Sequence, residues 1–208
     1  MRLEGDDLAA WLRARAGKLT ASRMADALDF RKDGKPGAAR VKLMKELLAE
    51  RLTGDSVRHF VTDAMTWGLE KEAEAKSAYE AETGELIADA GFYDHPRIDN
   101  FGATPDGLIG ADGLIETKCP NTATMIDWIM SGVVPEEHKP QMLAQLACSG
   151  RRWVEFVAFD PRIRDQKRQL FVRRFEPATA EIAAIEAAAE AFLAEVDAAW
   201  EVLTTADA

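Results

Sequence analysis

The sequence contains only two cysteines, Cys119 and Cys148, among its 208 residues. Two thiols cannot complete a four-thiolate zinc or iron–sulfur site, and a disulfide is not expected in a reducing compartment. No apolar run is long enough to span a membrane, and the first residues lack the apolar segment of a signal peptide. These absences predict a cytoplasmic protein with no membrane association.

The size and composition are typical of one globular domain. Hydrophobic residues make up 47% of the chain and charged residues 30%, which is too apolar for a disordered chain and sufficient for a sizeable core. No internal repeat, low-complexity tract or linker divides the sequence. We therefore expect residues 1–208 to form a single domain.

The net charge of −10 is unevenly distributed along the chain. Residues 1–58 and 151–174 are net basic, whereas residues 59–150 and 175–208 are net acidic. Basic segments attract phosphates and an acidic centre attracts metal ions, although solvated surfaces without a partner have the same pattern. The basic residues that could face phosphates lie in the loop 31–35 and in a second block: Arg151, Arg152, Arg162, Arg164, Lys167 and Arg168.

Hydrophobic periodicity and turn residues predict a mixed α/β fold. Helices are expected over 6–15, 20–28, 41–52, 62–83, 125–130, 135–148 and 177–203, and strands over 86–93, 101–109, 114–118, 153–159 and 169–175. This order of elements predicts a mixed central sheet flanked by helices.

Two short segments between residues 104 and 120 are the most informative part of the sequence. Asp106 lies between a proline and a glycine, which predicts a bend. Glu116 and Lys118 are two residues apart in a predicted strand, so their side chains leave the same face. A hairpin joining Gly107 to Leu114 would bring Asp106 beside Glu116. The pattern therefore predicts two carboxylates and one ammonium on a single patch.

Such a patch suits metal-dependent phosphodiester chemistry. Carboxylate oxygens are the ligands that Mg²⁺ prefers, and a bound ion can activate water near neutral pH. A neighbouring lysine can position the water or neutralise charge on phosphorus. The alternative interpretation is a surface salt bridge between Glu116 and Lys118, which is a common and weak feature.

The Pro-Asp and Glu-x-Lys pairing is the signature of the PD-(D/E)xK nuclease superfamily, and the chain resembles the lambda exonuclease, or YqaJ-type viral recombinase, family over nearly its whole length. The motifs that carry the resemblance span residues 15–22, 67–72, 101–108, 114–120 and 141–146. The resemblance implies a restriction-endonuclease-like core. It also implies that Asp106, Glu116 and the backbone carbonyl of Thr117 bind metal, that Glu72 adds an acidic group, and that Lys118 is the catalytic lysine. The implied cofactor is Mg²⁺, as two ions, with Mn²⁺ as a substitute.

The resemblance also assigns residues outside the acidic patch. Gln141 matches the family glutamine that orients water or the lysine, with Gln145 as the alternative if the register differs and a helix-surface amide as the structural interpretation. The local sequence by itself favours a helix cap at Ser22 or Thr20 and a solvated Arg15. The resemblance reverses this preference, because Arg15 and Ser22 match the family's pocket for the 5′-phosphate. Met65 lies where the family places an apolar wedge between the strands, although methionine at helical spacing is more often a core residue.

The implied function is a Mg²⁺-dependent 5′→3′ exonuclease acting on linear double-stranded DNA, leaving 3′ single-stranded tails for recombination. The implied assembly is a ring-shaped homotrimer, with a single-strand annealing protein as partner. Alternatives are a structure- or sequence-specific endonuclease on the same core and a non-catalytic DNA-end binder, which the complete set of acidic residues and lysine disfavours. A helicase-associated nuclease is also an alternative, but such enzymes often carry a four-cysteine cluster that this chain lacks.

Overall fold

The computed structural model describes residues 12–56 and 63–205, without the side chains of residues 63–65 and 69. The helices are α1 (Met24–Ala27), α2 (Ala38–Thr53), α3 (Asp63–Thr83), α4 (Thr122–Ser131), α5 (Lys139–Ser149) and α6 (Thr179–Thr205). The strands are β1 (Leu19–Thr20), β2 (Ile87–Ala88), β3 (Tyr93–Asp94), β4 (Phe101–Ala103), β5 (Gly107–Ile109), β6 (Gly113–Lys118), β7 (Trp153–Phe159) and β8 (Leu170–Phe175). The helix expected over 6–15 lies mostly outside the described residues.

The central sheet has five strands in the order β2-β5-β6-β7-β8. Strands β6 and β7 are parallel, and the other neighbouring pairs are antiparallel. The connection between the parallel strands contains α4 and α5. The predicted mixed sheet flanked by helices is therefore confirmed.

Helices cover both faces of the central sheet. On one face, Ile115 and Val157 pack with Tyr79 of α3. On the other face, Leu114 and Phe156 pack in a cluster that includes Met142 of α5 and residues of α4. Helix α6 packs against the far side of α5, so α5 lies between the sheet and another helix. This position explains why most of α5 is buried along its second and third turns.

A second, smaller sheet in the order β1-β4-β3 was not predicted. The strand expected over 101–109 divides into β4 and β5, because Pro105 has no N–H to donate to a strand partner. The strand expected over 86–93 likewise divides into β2 and β3, which pair in different sheets. The residues between these short strands, including Asp106 between β4 and β5, therefore lie at bends and not within a strand ladder.

Periodicity places Val41, Met44, Leu47, Leu48 and Leu52 on one side of α2, but of these only Leu47 is buried and Met44 and Leu48 are partly buried. Val41 and Leu52 are exposed, whereas Arg40 and Glu50 are buried. Arg40 donates to Glu195 of α6 at 2.8 Å, and Glu50 accepts the backbone N–H of Gly17 at 2.8 Å. Polar partners from distant segments thus decide which face of α2 is buried.

The ends of two helices agree with the predicted stop signals. Gly150 adopts a left-handed conformation (φ 69°) and closes α5, as expected from its position after Ser149. Gly84 does the same after α3 (φ 75°). Within the described residues, no helix combines the length and apolar character needed to cross a bilayer.

Candidate active site

The hairpin formed by β5 and β6 brings Asp106 beside Glu116, as predicted. Gly107 lies opposite Ile115 in the antiparallel register, so Asp106 comes next to the end of the ladder at Glu116 and Thr117. Asp106 Oδ2 accepts the backbone N–H of Thr117 at 2.6 Å and its hydroxyl at 2.7 Å. Because Pro105 ends the strand, the side chain of Asp106 provides the next acceptor for β6.

Glu116 and Lys118 leave the same face of β6 and form an ion pair. The side chain of Glu116 is 1% exposed and that of Lys118 is 27% exposed. The alternative interpretation was an exposed surface salt bridge. This pair differs, because Glu116 is buried and loss of Lys118 would leave its negative charge without a partner. The lysine thus lies at the open side of a buried carboxylate.

Two glutamines of α5 hold the two oxygens of Glu116. Gln141 Nε2 donates to Glu116 Oε1 at 2.7 Å, and Gln141 Oε1 accepts from Lys118 Nζ at 3.4 Å. Gln145 Nε2 donates to Glu116 Oε2 at 2.6 Å. The two residues are one helical turn apart, so both face the sheet. The structure therefore brings both candidate glutamines to the carboxylate instead of selecting one of them.

The electrostatics of the patch show concentrated negative charge. Burial, followed by the charges of Glu116 and Glu72, raises the pKa of Asp106 to about 7. Burial opposes the charged form of Lys118, but Glu116, Asp106 and Glu72 outweigh it and raise the pKa of Lys118. Before any cation binds, Lys118 is therefore an ammonium ion and Asp106 resists ionisation.

Glu72 of α3 lies near this patch but is not joined to it by a hydrogen bond. It is half-buried and accepts a hydrogen bond from Lys76 at 2.5 Å. Its charge contributes to the raised pKa values of Asp106, Lys118 and Cys119. In the described part of the chain, no three His, Cys, Asp or Glu side chains converge as a metal-binding group.

The donor set nevertheless fits a hard divalent cation. Asp106 Oδ2 takes both donors of Thr117, and Asp106 Oδ1 receives none from the residues described. Mg²⁺ is commonly held by one or two carboxylates and keeps several waters, so Asp106 and Glu116 suffice as charged ligands. A cation here would also offset the repulsion that raises the pKa of Asp106.

Arg15 and Ser22 lie near the bend that carries Asp106. Arg15 donates to Thr104, two residues before Asp106, at 3.4 Å, and burial lowers the pKa of Arg15. Ser22 is exposed in a short 3₁₀ turn and shares a 3.3 Å hydrogen bond with Thr20. Thr20 makes no capping hydrogen bond, so the capping interpretation is wrong for this residue.

Met65 lies on α3, but its side chain is outside the described residues.

The second basic block divides into structural and exposed members. Arg151 donates to the carbonyls of Gly110 and Gly113 and closes the hairpin. The exposed members with no such backbone anchor are Arg152, Arg164, Lys167 and Arg168.

The buried Asp160 and the exposed Arg162 form an ion pair that the sequence interpretation did not identify. Asp160 is fully buried and accepts hydrogen bonds from Arg162 Nε and Thr122 Oγ1, both at 2.6 Å. Arg162 also donates to the carbonyl of Pro120 and lies over the ring of Trp67. Strands β6 and β7 are parallel, so their carboxyl ends lie at the same edge of the sheet. Pro120 follows β6 and Asp160 follows β7. The parallel pairing could therefore have predicted that these two segments meet.

Comparison with known proteins identifies the family. The YqaJ-like viral recombinase domain model matches residues 10–152, which is more than half of the chain. The chain belongs to the YqaJ-like viral recombinase domain family. Among curated proteins, none matches the chain.

Solved structures agree with this membership of the YqaJ-like family. An alkaline exonuclease (LHK-Exo) from Laribacter hongkongensis is 45% identical with a TM-score of 0.86, and the match covers 94% of this chain and 95% of that one. LHK-Exo in complex with dAMP gives the same identity and TM-score over 93% of this chain and 95% of that one. A phage related exonuclease from Haemophilus somnus 129PT, at 14% identity and TM-score 0.62 over 92% and 96% of the two chains, shares the fold.

Family membership and the 45% identity confirm three of the predictions. They confirm the resemblance to the YqaJ-type family, the restriction-endonuclease-like mixed α/β fold, and the assignment of the chain as an exonuclease. The roles of the individual residues stay predictions, and their placement at one sheet edge is the observation on which those roles depend.

Proposed function

We propose that this protein is a Mg²⁺-dependent exonuclease that degrades linear double-stranded DNA in the 5′→3′ direction and leaves a 3′ single-stranded tail. The observation that carries the proposal is the convergence of Asp106, Glu116, Lys118 and Gln141 at one edge of the sheet. Membership in the YqaJ-like family and the likeness to an alkaline exonuclease crystallised with dAMP support it.

Asp106, Glu116 and the backbone carbonyl of Thr117 would hold the metal, and Glu72 would add negative charge beside them. A bound Mg²⁺ or Mn²⁺ supplies Lewis acidity toward the phosphodiester and lowers the pKa of bound water. Two ions would suit a phosphodiester cleavage, in which both the attacking and the leaving oxygen carry charge. Oxygen ligands and room for water favour Mg²⁺ over softer metals.

Lys118 would act as an ammonium ion rather than as a general base. Before a metal binds, the neighbouring carboxylates raise the pKa of Lys118, and as an ammonium ion the side chain would donate hydrogen bonds to the attacking water or to a phosphate oxygen. Gln141 accepts from Lys118 and donates to Glu116, which fixes the lysine relative to the carboxylate. Developing charge on the phosphate is thereby met by a preorganised donor.

Arg15 and Ser22 would bind the 5′-phosphate of the strand being cut. Arg15 is oriented by Thr104, on the same bend as Asp106, so a phosphate held there would lie close to the metal ligands. A guanidinium offers a forked donor suited to phosphate. Met65, on the helix that also carries Glu72, is the proposed wedge between the strands.

A single chain of 208 residues is too small to enclose a duplex by itself. We therefore propose a ring-shaped homotrimer around DNA and a single-strand annealing protein that receives the 3′ tail. We also propose that residues 1–208 form one exonuclease domain. Leu143 and Ile182 pack against both large core clusters, which supports a continuous core.

The decisive experiment uses linear duplexes labelled at either the 5′ or the 3′ end, with Mg²⁺ or with EDTA. We expect early release of the 5′ label, retention of the 3′ label in a long single strand, and no release in EDTA. Early release of the 3′ label would refute the polarity. A closed-circular plasmid should stay intact until it is linearised, and cleavage of the circle would favour the endonuclease alternative.

A further inference from the structure

The two glutamines of α5 hold the same carboxylate in different surroundings. Gln141 is half-buried and contacts Glu116 Oε1 together with Lys118. Gln145 is 0% exposed, and its one hydrogen bond among the described residues goes to Glu116 Oε2, at 2.6 Å. Oε1 is therefore the oxygen on the open side of the site, and Oε2 is the oxygen tied to the protein interior.

Gln145 carries a buried acceptor that is not used. Its Oε1 has no hydrogen-bond partner among the described residues. The amide cannot be turned around, because a carboxylate oxygen only accepts and would then face a second acceptor. Burying an unpaired carbonyl disfavours the folded state, and the hydrogen bond from Nε2 to the buried carboxylate of Glu116 opposes that cost.

The buried neighbours of Gln145 on α5 are apolar, as expected for residues whose role is packing. Ala144 and Leu146 are buried on either side of it, and Met142 is buried one turn earlier. Helix α5 has core on two sides, so a purely structural position here favours an apolar side chain. Retention of an amide with one orphaned end points to a role for the other end, which faces Glu116.

We propose that Gln145 is a positioning residue for metal binding: it holds Oε2 of Glu116 and thereby presents Oε1, together with Asp106, to the divalent cation. This inference rests on the proposed function. Gln145 acts through Glu116 and touches neither substrate nor metal. Hydrogen bonds from such outer partners orient metal ligands, and their loss typically weakens metal affinity by about 10–100-fold.

The test replaces the amide by side chains of similar size that cannot donate, Gln145→Met and Gln145→Leu, in the full chain. Binding of Mg²⁺ and of Mn²⁺ is measured by calorimetry at a temperature where circular dichroism shows each variant to be folded. Metal-free Tm and cleavage of a linear duplex across a metal titration are measured beside it. Met142→Leu, a fully buried neighbour on the same helix, is the matched control.

For Gln145→Met we expect a Kd for Mg²⁺ raised about 10–100-fold, in a variant that still folds without metal. Cleavage should recover at least partly at high Mg²⁺, because the ligands themselves remain. Met142→Leu should keep the parental Kd. Weaker binding in a folded variant supports the inference even where its Tm is lower.

An unchanged Kd for Mg²⁺ in both folded variants would overturn the inference, and so would a lowered Tm with parental metal affinity, since that combination marks a packing role. Failure of the proposed function would look different. In that case the parent protein itself would neither bind the metal nor cut linear DNA.

Discussion

Asp106 accepts two hydrogen bonds from Thr117 through a single oxygen, one from the backbone N–H at 2.6 Å and one from the hydroxyl at 2.7 Å. Thr117 directly follows Glu116, so this pair of bonds fixes the bend that carries one proposed metal ligand against the strand that carries the other.

Replacing Lys118 by alanine should reduce kcat for cleavage of a linear duplex by about 10²–10³-fold, because the ammonium that meets the phosphate is lost. Binding of DNA in EDTA, measured by fluorescence anisotropy, should be nearly unchanged. Lys139→Ala is the matched control, since Lys139 pairs with Glu136 at the start of α5. Loss of the folded state in Lys118→Ala would instead indicate a structural lysine.

Asp106 predicts a pH-dependent stability before metal binds. Its pKa is raised from 3.8 to about 7, so its stabilising contribution is complete below about pH 4 and is lost as the pH rises through 7. Between these limits the free energy of unfolding should fall by up to about 1.4 kcal/mol per pH unit relative to Asp106→Asn. Urea denaturation of the two proteins from pH 4 to pH 8 measures this difference.

The same carboxyl should make metal binding pH-dependent, because the cation binds the ionised form. The rise in Tm caused by Mg²⁺ should therefore grow as the pH increases from 6 to 8, and Asp106→Asn should remove most of it. A Tm shift of equal size at both pH values would argue against Asp106 as a ligand.

Replacing Arg15 by alanine should reduce the preference for 5′-phosphorylated over 5′-hydroxyl ends. A charged hydrogen bond contributes about 1.5–3 kcal/mol, which corresponds to a loss of roughly tenfold or more in the ratio of the two initial rates. Arg13→Ala, at an exposed position two residues earlier, is the control. If Arg15→Ala discriminates between the ends as the parent does, the pocket lies elsewhere.

Asp160 should contribute to stability through its buried hydrogen bonds to Arg162 and Thr122. Burial opposes its ionisation, but hydrogen bonds from Arg162 and Thr122 outweigh this and lower the pKa of Asp160. Its stabilisation is thus present at neutral pH and lost as the pH falls through the lowered value. Asp160→Asn should lower the free energy of unfolding by about 1–3 kcal/mol in urea denaturation, whereas the exposed Asp165→Asn should change it little.

Local sequence patterns were sufficient for the centre of the site. The two-residue period of a strand placed Glu116 and Lys118 on one face, and the hairpin brought Asp106 beside them, as the structure confirms for their positions. These relationships depend on residues close together in the chain. That is why periodicity and turn chemistry can predict them.

Contacts between distant segments were not predictable in this way. The pairing of Leu19 with Phe101 joins β1 to β4 in parallel, and no local pattern specifies it. Arg40 is buried with a hydrogen bond to Glu195, and hydrophobicity alone does not predict a buried arginine on α2. The orphaned oxygen of Gln145 likewise becomes visible only when both layers around α5 are in place.

The sandwiched position of α5 has a consequence for how the protein fails on heating. A helix with core on both sides cannot fray or shift by itself, because any displacement would disrupt two layers at once. The side-chain amides of Gln141 and Gln145, which donate to Glu116, should therefore keep their positions until the whole structure unfolds. Heat inactivation and global unfolding should then coincide as one all-or-none event, with no folded but inactive form between them.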